Sequence, residues 1–215
     1  MPVRFEMVHN KQVELPEWPR KSSASTGLYE IRWHGRGGQG AVTAAKIVAQ
    51  AAYLKGYQGV TAAPSFGAER RGVPVSALTR ISSEPVMVVS QVEKPNAVVV
   101  LDRTLLKYQE VISGLSSGGW LIVNSWLHPK ELNIKGDFNI ATADATKVCR
   151  ELGLMVGGLP IVNTAMLGAV ARATQIVDMT NIEKVIRQRF SNNAIDINLA
   201  AITKTYEITK LEKIR

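Results

Sequence analysis

The chain has 215 residues, 46% hydrophobic and 20% charged, and 26 Lys and Arg against 18 Asp and Glu give a formal net charge of +8. This balance excludes a disordered, collagen-like or coiled-coil protein and supplies enough chain for one packed domain. The longest apolar stretches, 97–101 and the Gly- and Pro-interrupted 152–162, fall far short of the roughly 20 residues that cross a bilayer, so no membrane insertion is expected.

Residues 1–27 open the chain with charges of both signs, Pro16, Pro19 and an SSAST run ending at Gly27. They lack the apolar core of a signal peptide, which points to a cytoplasmic location, and they lack sustained periodicity, which points to an extended arm. Trp18 in such an arm suggests contact with a partner. Residues 28–34 alternate as a strand, 35–40 form a glycine loop, and 41–55 make an Ala-rich helix ending before Gly56. Strands are predicted over 59–63 and 74–82, flanking a charged turn, and over 97–102, where β-branched residues run together. Asp102 reads as the cap of a short helix. Further strands fall at 120–124 and 138–141, with helices over 144–153, 164–176, 181–190 and 193–208. Asp144 and Asn163 are the expected N-caps of the first two. Met166 and Leu167 read as core or subunit contact, and Trp33, Trp120 and Trp126 as packing or interface residues. The alternation defines the α/β class: a largely parallel sheet with covering helices, a Rossmann-like glycine turn and additional antiparallel strands near 73–82, all in one domain over 28–215.

The chemistry concentrates at HGRGGQG, residues 34–40, where Gly35, Gly37 and Gly40 fit G-x-G-x-x-G between a strand and a helix. Such a turn lets the backbone approach a phosphate, whose charge is met by N–H groups at the helix start; glycines that merely close a tight turn would look the same. Residues 28–80 carry seven Lys and Arg against two acidic residues, an excess of five that suits an anion. Ala41 and Val42 stand where a P-loop needs Lys and Ser or Thr. No acidic residue follows about 20 positions later to hold a ribose, which disfavours NAD. The next charged cluster, GAERRG at 67–72, places Arg70 and Arg71 where a ribose phosphate of NADP or coenzyme A would be met, or where a turn is simply solvated. Cys149 is the single cysteine and reads as a small apolar residue in a helix; one thiol supports neither a disulfide nor an iron–sulfur cluster. His9, His34 and His128 are too scattered for a metal set, and His34 reads as orienting the glycine turn through a backbone hydrogen bond. Nucleic-acid signatures are lacking.

The segments IRWHGRGGQGAVTAAKIVAQAA and PSFGAERRGVPVSALTRIS resemble the gamma subunit of the 2-oxoacid:ferredoxin oxidoreductases, the pyruvate synthase family. The resemblance continues through EKPNAVVVLDRTLL, DATKVCRELGL and PIVNTAMLGAVARA and spans roughly residues 28–200. It implies a complex in which a 2-oxoacid and coenzyme A become acyl-coenzyme A, carbon dioxide and a reduced acceptor such as ferredoxin. In that scheme alpha, beta and delta-type partner subunits hold thiamine diphosphate, magnesium and 4Fe-4S clusters. This chain contributes structure and part of the coenzyme A site. The family's two loops correspond to Gly35, Arg36, Gly37, Gly38, Gln39 and Gly40, and to Glu69, Arg70, Arg71 and Gly72, with no catalytic residue and no metal ligand here. Read from its residues alone, the chain also admits a free-standing NADP-binding reductase or a basic adaptor subunit.

Overall fold

The computed structural model describes residues 27–65, 72–85 and 92–214. The predicted arm, except Gly27, and Glu69, Arg70 and Arg71 of the predicted basic turn lie outside them. In chain order the elements are β1 (Leu28–Arg36), α1 (Ala41–Lys55), β2 (Gly59–Pro64), β3 (Pro74–Ser82) and β4 (Ala97–Val100). Two short 3₁₀ segments, Arg103–Lys107 and Gln109–Val111, lead to β5 (Trp120–Asn124), and a third, Pro129–Leu132, leads to β6 (Asn139–Ala143). Then come α2 (Ala145–Glu151), β7 (Met155–Val156), β8 (Leu159–Pro160), α3 (Val162–Thr174), α4 (Met179–Arg189), α5 (Asn193–Ile208) and β9 (Lys210–Glu212).

Seven strands form one sheet in the order β2-β3-β1-β4-β5-β6-β9. β1, β4, β5 and β6 run parallel, while β3 pairs antiparallel between β1 and β2, and β9 closes the far edge antiparallel to β6. The chain leaves β1 toward one edge and resumes at β4 on its other side, so the strand order switches direction between β1 and β4. A crevice at the carboxyl ends of the strands is the geometric consequence of such a switch.

Alternation along β1 buries Tyr29, Ile31 and Trp33 on one face, where they join Val99, Ile122, Ala141 and the inward faces of the five helices. Small residues make that layer thin. Ala44, Ala45, Ala51 and Ala52 of α1 are fully buried, and Gly168 of α3 faces α5 so closely that a Cβ there would collide with the Ile202 carbonyl. Among the described residues the opposite face is covered without α-helices: Val98, Val100, Leu121 and Val123 pack beneath Leu105, Val111 and partly buried residues in and around the 3₁₀ segments. β4 is therefore buried on both faces, which explains its uninterrupted Ala-Val-Val-Val sequence. The indole N–H of Trp33 donates to Thr79 Oγ1 at 3.0 Å, and that hydroxyl donates to the Ala45 carbonyl, so the largest buried ring leaves no orphaned donor.

Several local expectations are corrected. β1 runs two residues beyond the predicted strand, because Gly35 and Arg36 stay in register with Val75 and Pro74 of β3. The short helix expected after β4 is there as a 3₁₀ turn, and Asp102 caps it as expected by accepting from the Thr104 N–H. Asn163 is not an N-cap: α3 begins at Val162 with Ile161 before it, and Asn163 sits inside the first turn with its side chain turned to Gly40. His34 does not orient the turn with its ring; its Nε2 accepts from Arg32 Nε at 3.1 Å. The β7–β8 hairpin and β9 are too short to show in sequence periodicity.

Candidate functional site

The carboxyl ends of β1, β4, β5 and β6 open into a cleft of about 830 Å³, within the roughly 300–1,000 Å³ usual for small-molecule sites. Its first wall is the glycine turn. Gln39 Oε1 accepts from the Arg36 N–H at 2.7 Å and the Gln39 N–H donates to the Arg36 carbonyl at 2.8 Å, which closes the turn on itself. Gly40 then enters α1 with φ 78°, and a Cβ there would collide with the Asn163 amide. Only glycine satisfies both conditions. α1 has no side-chain cap and no acidic residue in its first turn, and the same holds for α3. Both helices begin among residues that line the cleft, so free N–H groups and the positive ends of two helix dipoles meet there.

Gly72, the described end of the predicted basic turn, reaches the same place. Gly37 N–H donates to the Val73 carbonyl at 2.8 Å and Gly72 N–H to the Gly37 carbonyl at 3.1 Å, joining the two predicted loops. Arg36 reinforces that junction. Its Nε meets Asp102 Oδ2 at 2.6 Å, one terminal nitrogen donates to the Gly72 carbonyl and the other to the Thr104 hydroxyl. Three chain segments are thereby clamped by one guanidinium. Burial works against the Asp102 carboxylate, but the Thr104 hydroxyl and N–H and the Arg36 guanidinium outweigh it and hold its pKa below the ordinary value.

Other lining residues lie outside the predicted loops. Arg103 follows Asp102, Trp126 follows β5, and Lys147 and Arg150 project from α2. The described lining thus holds four cations, Arg36, Arg103, Lys147 and Arg150, against Asp102 and Asp144. Arg36 neutralises Asp102, and Asp144 accepts from the Lys147 N–H as the α2 cap. The remaining field is positive. The Oδ1 atom of Asn163, a cleft-lining residue, is buried with no hydrogen-bond partner among the described residues. Arg103, Trp126, Lys147 and Asn163 lie just after the end of a parallel strand or in the first turn of a helix, where the carboxyl-end rule was the signal available for finding them; Arg150 reaches the cleft from the last turn of α2. Cys149 lies apart from this chemistry: burial pushes its thiol up to about 12 and it donates to the Ile161 carbonyl. No three His, Cys, Asp or Glu side chains gather as a metal site among the described residues, and no helix there is long and apolar enough to cross a membrane.

Fold and cleft together define an α/β chain with a cationic, helix-terminus crevice at a topological switch point. The chain matches the pyruvate ferredoxin/flavodoxin oxidoreductase family over residues 30–208 and belongs to it. It is 45% identical to the pyruvate/ketoisovalerate oxidoreductases common subunit gamma of Pyrococcus furiosus, over 86% of this chain and 98% of that one. It is 44% identical to pyruvate synthase subunit PorC of Methanosarcina barkeri, over 86% of this chain and all of that one. The crystal structure of pyruvate oxidoreductase subunit PORC from Thermotoga maritima matches with a TM-score of 0.76 at 38% identity, covering 87% of this chain and 99% of that one. The chain is a gamma-type subunit of a multisubunit 2-oxoacid oxidoreductase.

Proposed function

We propose that this subunit supplies the docking cleft for coenzyme A in a complex whose companion subunits hold thiamine diphosphate, magnesium and 4Fe-4S clusters and pass electrons to ferredoxin or another acceptor. The observation that carries the reading is the convergence of two uncapped helix N-termini with Arg103, Lys147 and Arg150 on one cleft. A co-substrate with phosphates at one end and a long uncharged arm suits that arrangement: N–H groups and guanidinium forks favour phosphate, and the orphaned Asn163 Oδ1 offers an acceptor to a ligand N–H or hydroxyl. Coenzyme A supplies the thiol that takes the acyl group; the residues of this chain bind and orient it. Arg36 positions rather than binds, since its donors hold Asp102, Gly72 and Thr104.

Arg70 and Arg71 complete the proposed site. They precede Gly72, whose N–H is joined to Gly37, so a short span of chain separates them from the glycine turn. The Pyrococcus relative is described as common to pyruvate and ketoisovalerate oxidoreductases; a subunit shared between two such enzymes would leave choice of the 2-oxoacid to its companions. Residues 28–215 form the working domain in this reading, and the 1–27 arm lies against a partner subunit in the cytoplasm.

The test uses the assembled complex. Replacing Arg70 and Arg71 with Ala should raise the KM for coenzyme A about tenfold, corresponding to about 1.4 kcal/mol of lost contact, while 2-oxoacid-dependent acceptor reduction before coenzyme A is added persists. An unchanged KM in a fully assembled variant would assign both residues to solvation or subunit contact. Deleting residues 1–26 should weaken assembly; unchanged co-purification would make the arm a tail.

A further inference from the structure

Trp126 is 64% exposed and follows Ser125 at the carboxyl end of β5, whereas Trp33 is fully buried in the same fold. An indole left in water forgoes a large burial term, so its position calls for something that covers it. One occupant is already on it: the Arg103 guanidinium lies 4.1 Å from the ring centroid. Arg103 comes from the turn after β4 and Trp126 from the turn after β5, so two neighbouring strand ends each contribute one half of the stack. Both residues line the cleft. A flat ring backed by a cation, set in the same cleft as two helix N-termini, has the chemistry of a stacking surface for a planar base that carries phosphates.

We propose that Trp126, backed by Arg103, is the shelf on which the purine base of the cleft's ligand stacks. The proposal rests on the reading that the cleft takes a phosphorylated nucleotide co-substrate, and it adds where the base lies and which residues select it. Arg103 fixes the indole plane from one side and keeps N–H groups available for a phosphate; the base lies against the ring opposite it. Phosphate alone would use the helix starts, Lys147 and Arg150, and gain nothing from Trp126.

The test follows from that separation, using the full chain and two probes. Adenosine 3′,5′-bisphosphate has base and phosphates, while inorganic pyrophosphate has phosphates only. Adenosine 3′,5′-bisphosphate should quench tryptophan fluorescence in the wild-type chain, and W126F should lose that quenching while keeping affinity within about threefold, because a phenyl ring still stacks. W126A should weaken bisphosphate binding, followed by calorimetry, about tenfold and leave pyrophosphate affinity unaltered. In the assembled complex W126A should raise the KM for coenzyme A by a similar factor. Equal bisphosphate affinity in wild type and W126A would overturn the shelf. So would a W126A chain that binds normally but fails to join its companion subunits, which would make Trp126 a subunit contact. If the wild-type chain binds neither probe, the cleft reading falls and takes the shelf with it; if it binds both and only the shelf variants are silent, the cleft stands without the shelf.

Discussion

The two ends of the parallel strands use their polar groups in opposite ways. At the amino end, Asn96 exchanges hydrogen bonds with Glu30: its Oδ1 accepts from the Glu30 N–H and its own N–H donates to the Glu30 carbonyl, both at 2.8 Å. The Asn96 carbonyl accepts from the Trp120 N–H, the Gly119 carbonyl from the Asn139 N–H, and the Asn139 amide ties down Gly118, Gly119 and Ile214. This end stitches itself shut. At the carboxyl end, the N–H groups that start α1 and α3 have no side-chain caps, Asn163 Oδ1 has no partner among the described residues, and Trp126 stands in solvent. The strands are the same. What differs is whether their connections satisfy each other or leave donors for a ligand, and the second condition is the one a binding site requires.

The largest expected effect comes from Gly40→Ala, which couples both properties at once. Left-handed backbone and a collision with Asn163 together should cost about 2–4 kcal/mol of stability. The start of α1 should move with them, so urea unfolding and bisphosphate titration should both worsen. Next comes Asn96→Ala at the closed end. Leaving the Glu30 N–H without its acceptor should lower stability by about 1–3 kcal/mol while nucleotide affinity stays at the wild-type value. A matching loss of affinity would erase the contrast between the ends. Arg150→Ala should do the reverse: stability unchanged and affinity for coenzyme A about two- to fivefold weaker at low salt, the difference fading as salt screens an exposed charge.

The smallest effect concerns pH and lies away from the cleft floor. Burial, with Arg32 beside it, pushes His34 from 6.5 down to about 4, so the folded chain keeps it neutral and able to accept from Arg32. A histidine whose pKa is depressed by folding contributes its full stability above its unfolded value and loses it as pH falls toward the folded one. Wild-type unfolding midpoints should therefore decline below about pH 6.5, before most carboxylates titrate, and His34→Gln should flatten that segment of the curve. An identical slope in the variant would place the loss elsewhere.

Much of this molecule was legible in the residues. Alternation at 28–34, the Ala-rich run of α1 and the unbroken β-branched run that reads as a buried strand at 97–102 were all visible, because each depends on neighbouring residues alone. Asp102 and Asp144 were readable as caps for the same local reason: each closes on N–H groups two or three residues ahead. Asn163 misled because its best partner is the Gly40 carbonyl, more than a hundred positions away. The Arg36 fork was likewise invisible as a clamp, since its acceptors come from the 72 loop and the turn after β4.

The cleft divides along the same line. Sequence alone determined that a glycine turn would join a strand to a helix, that one cysteine could support no cluster, and that basic residues gathered near the turn. Those are properties of neighbouring residues and of counting. Only the tertiary structure decided that Arg103, Trp126, Lys147 and Arg150, from turns and a helix after three different strands, share one opening with Gly40 and Asn163. Parallel strands separated along the chain are brought side by side by the sheet, and the order in which they pair, not their order in sequence, determines which turns face one another.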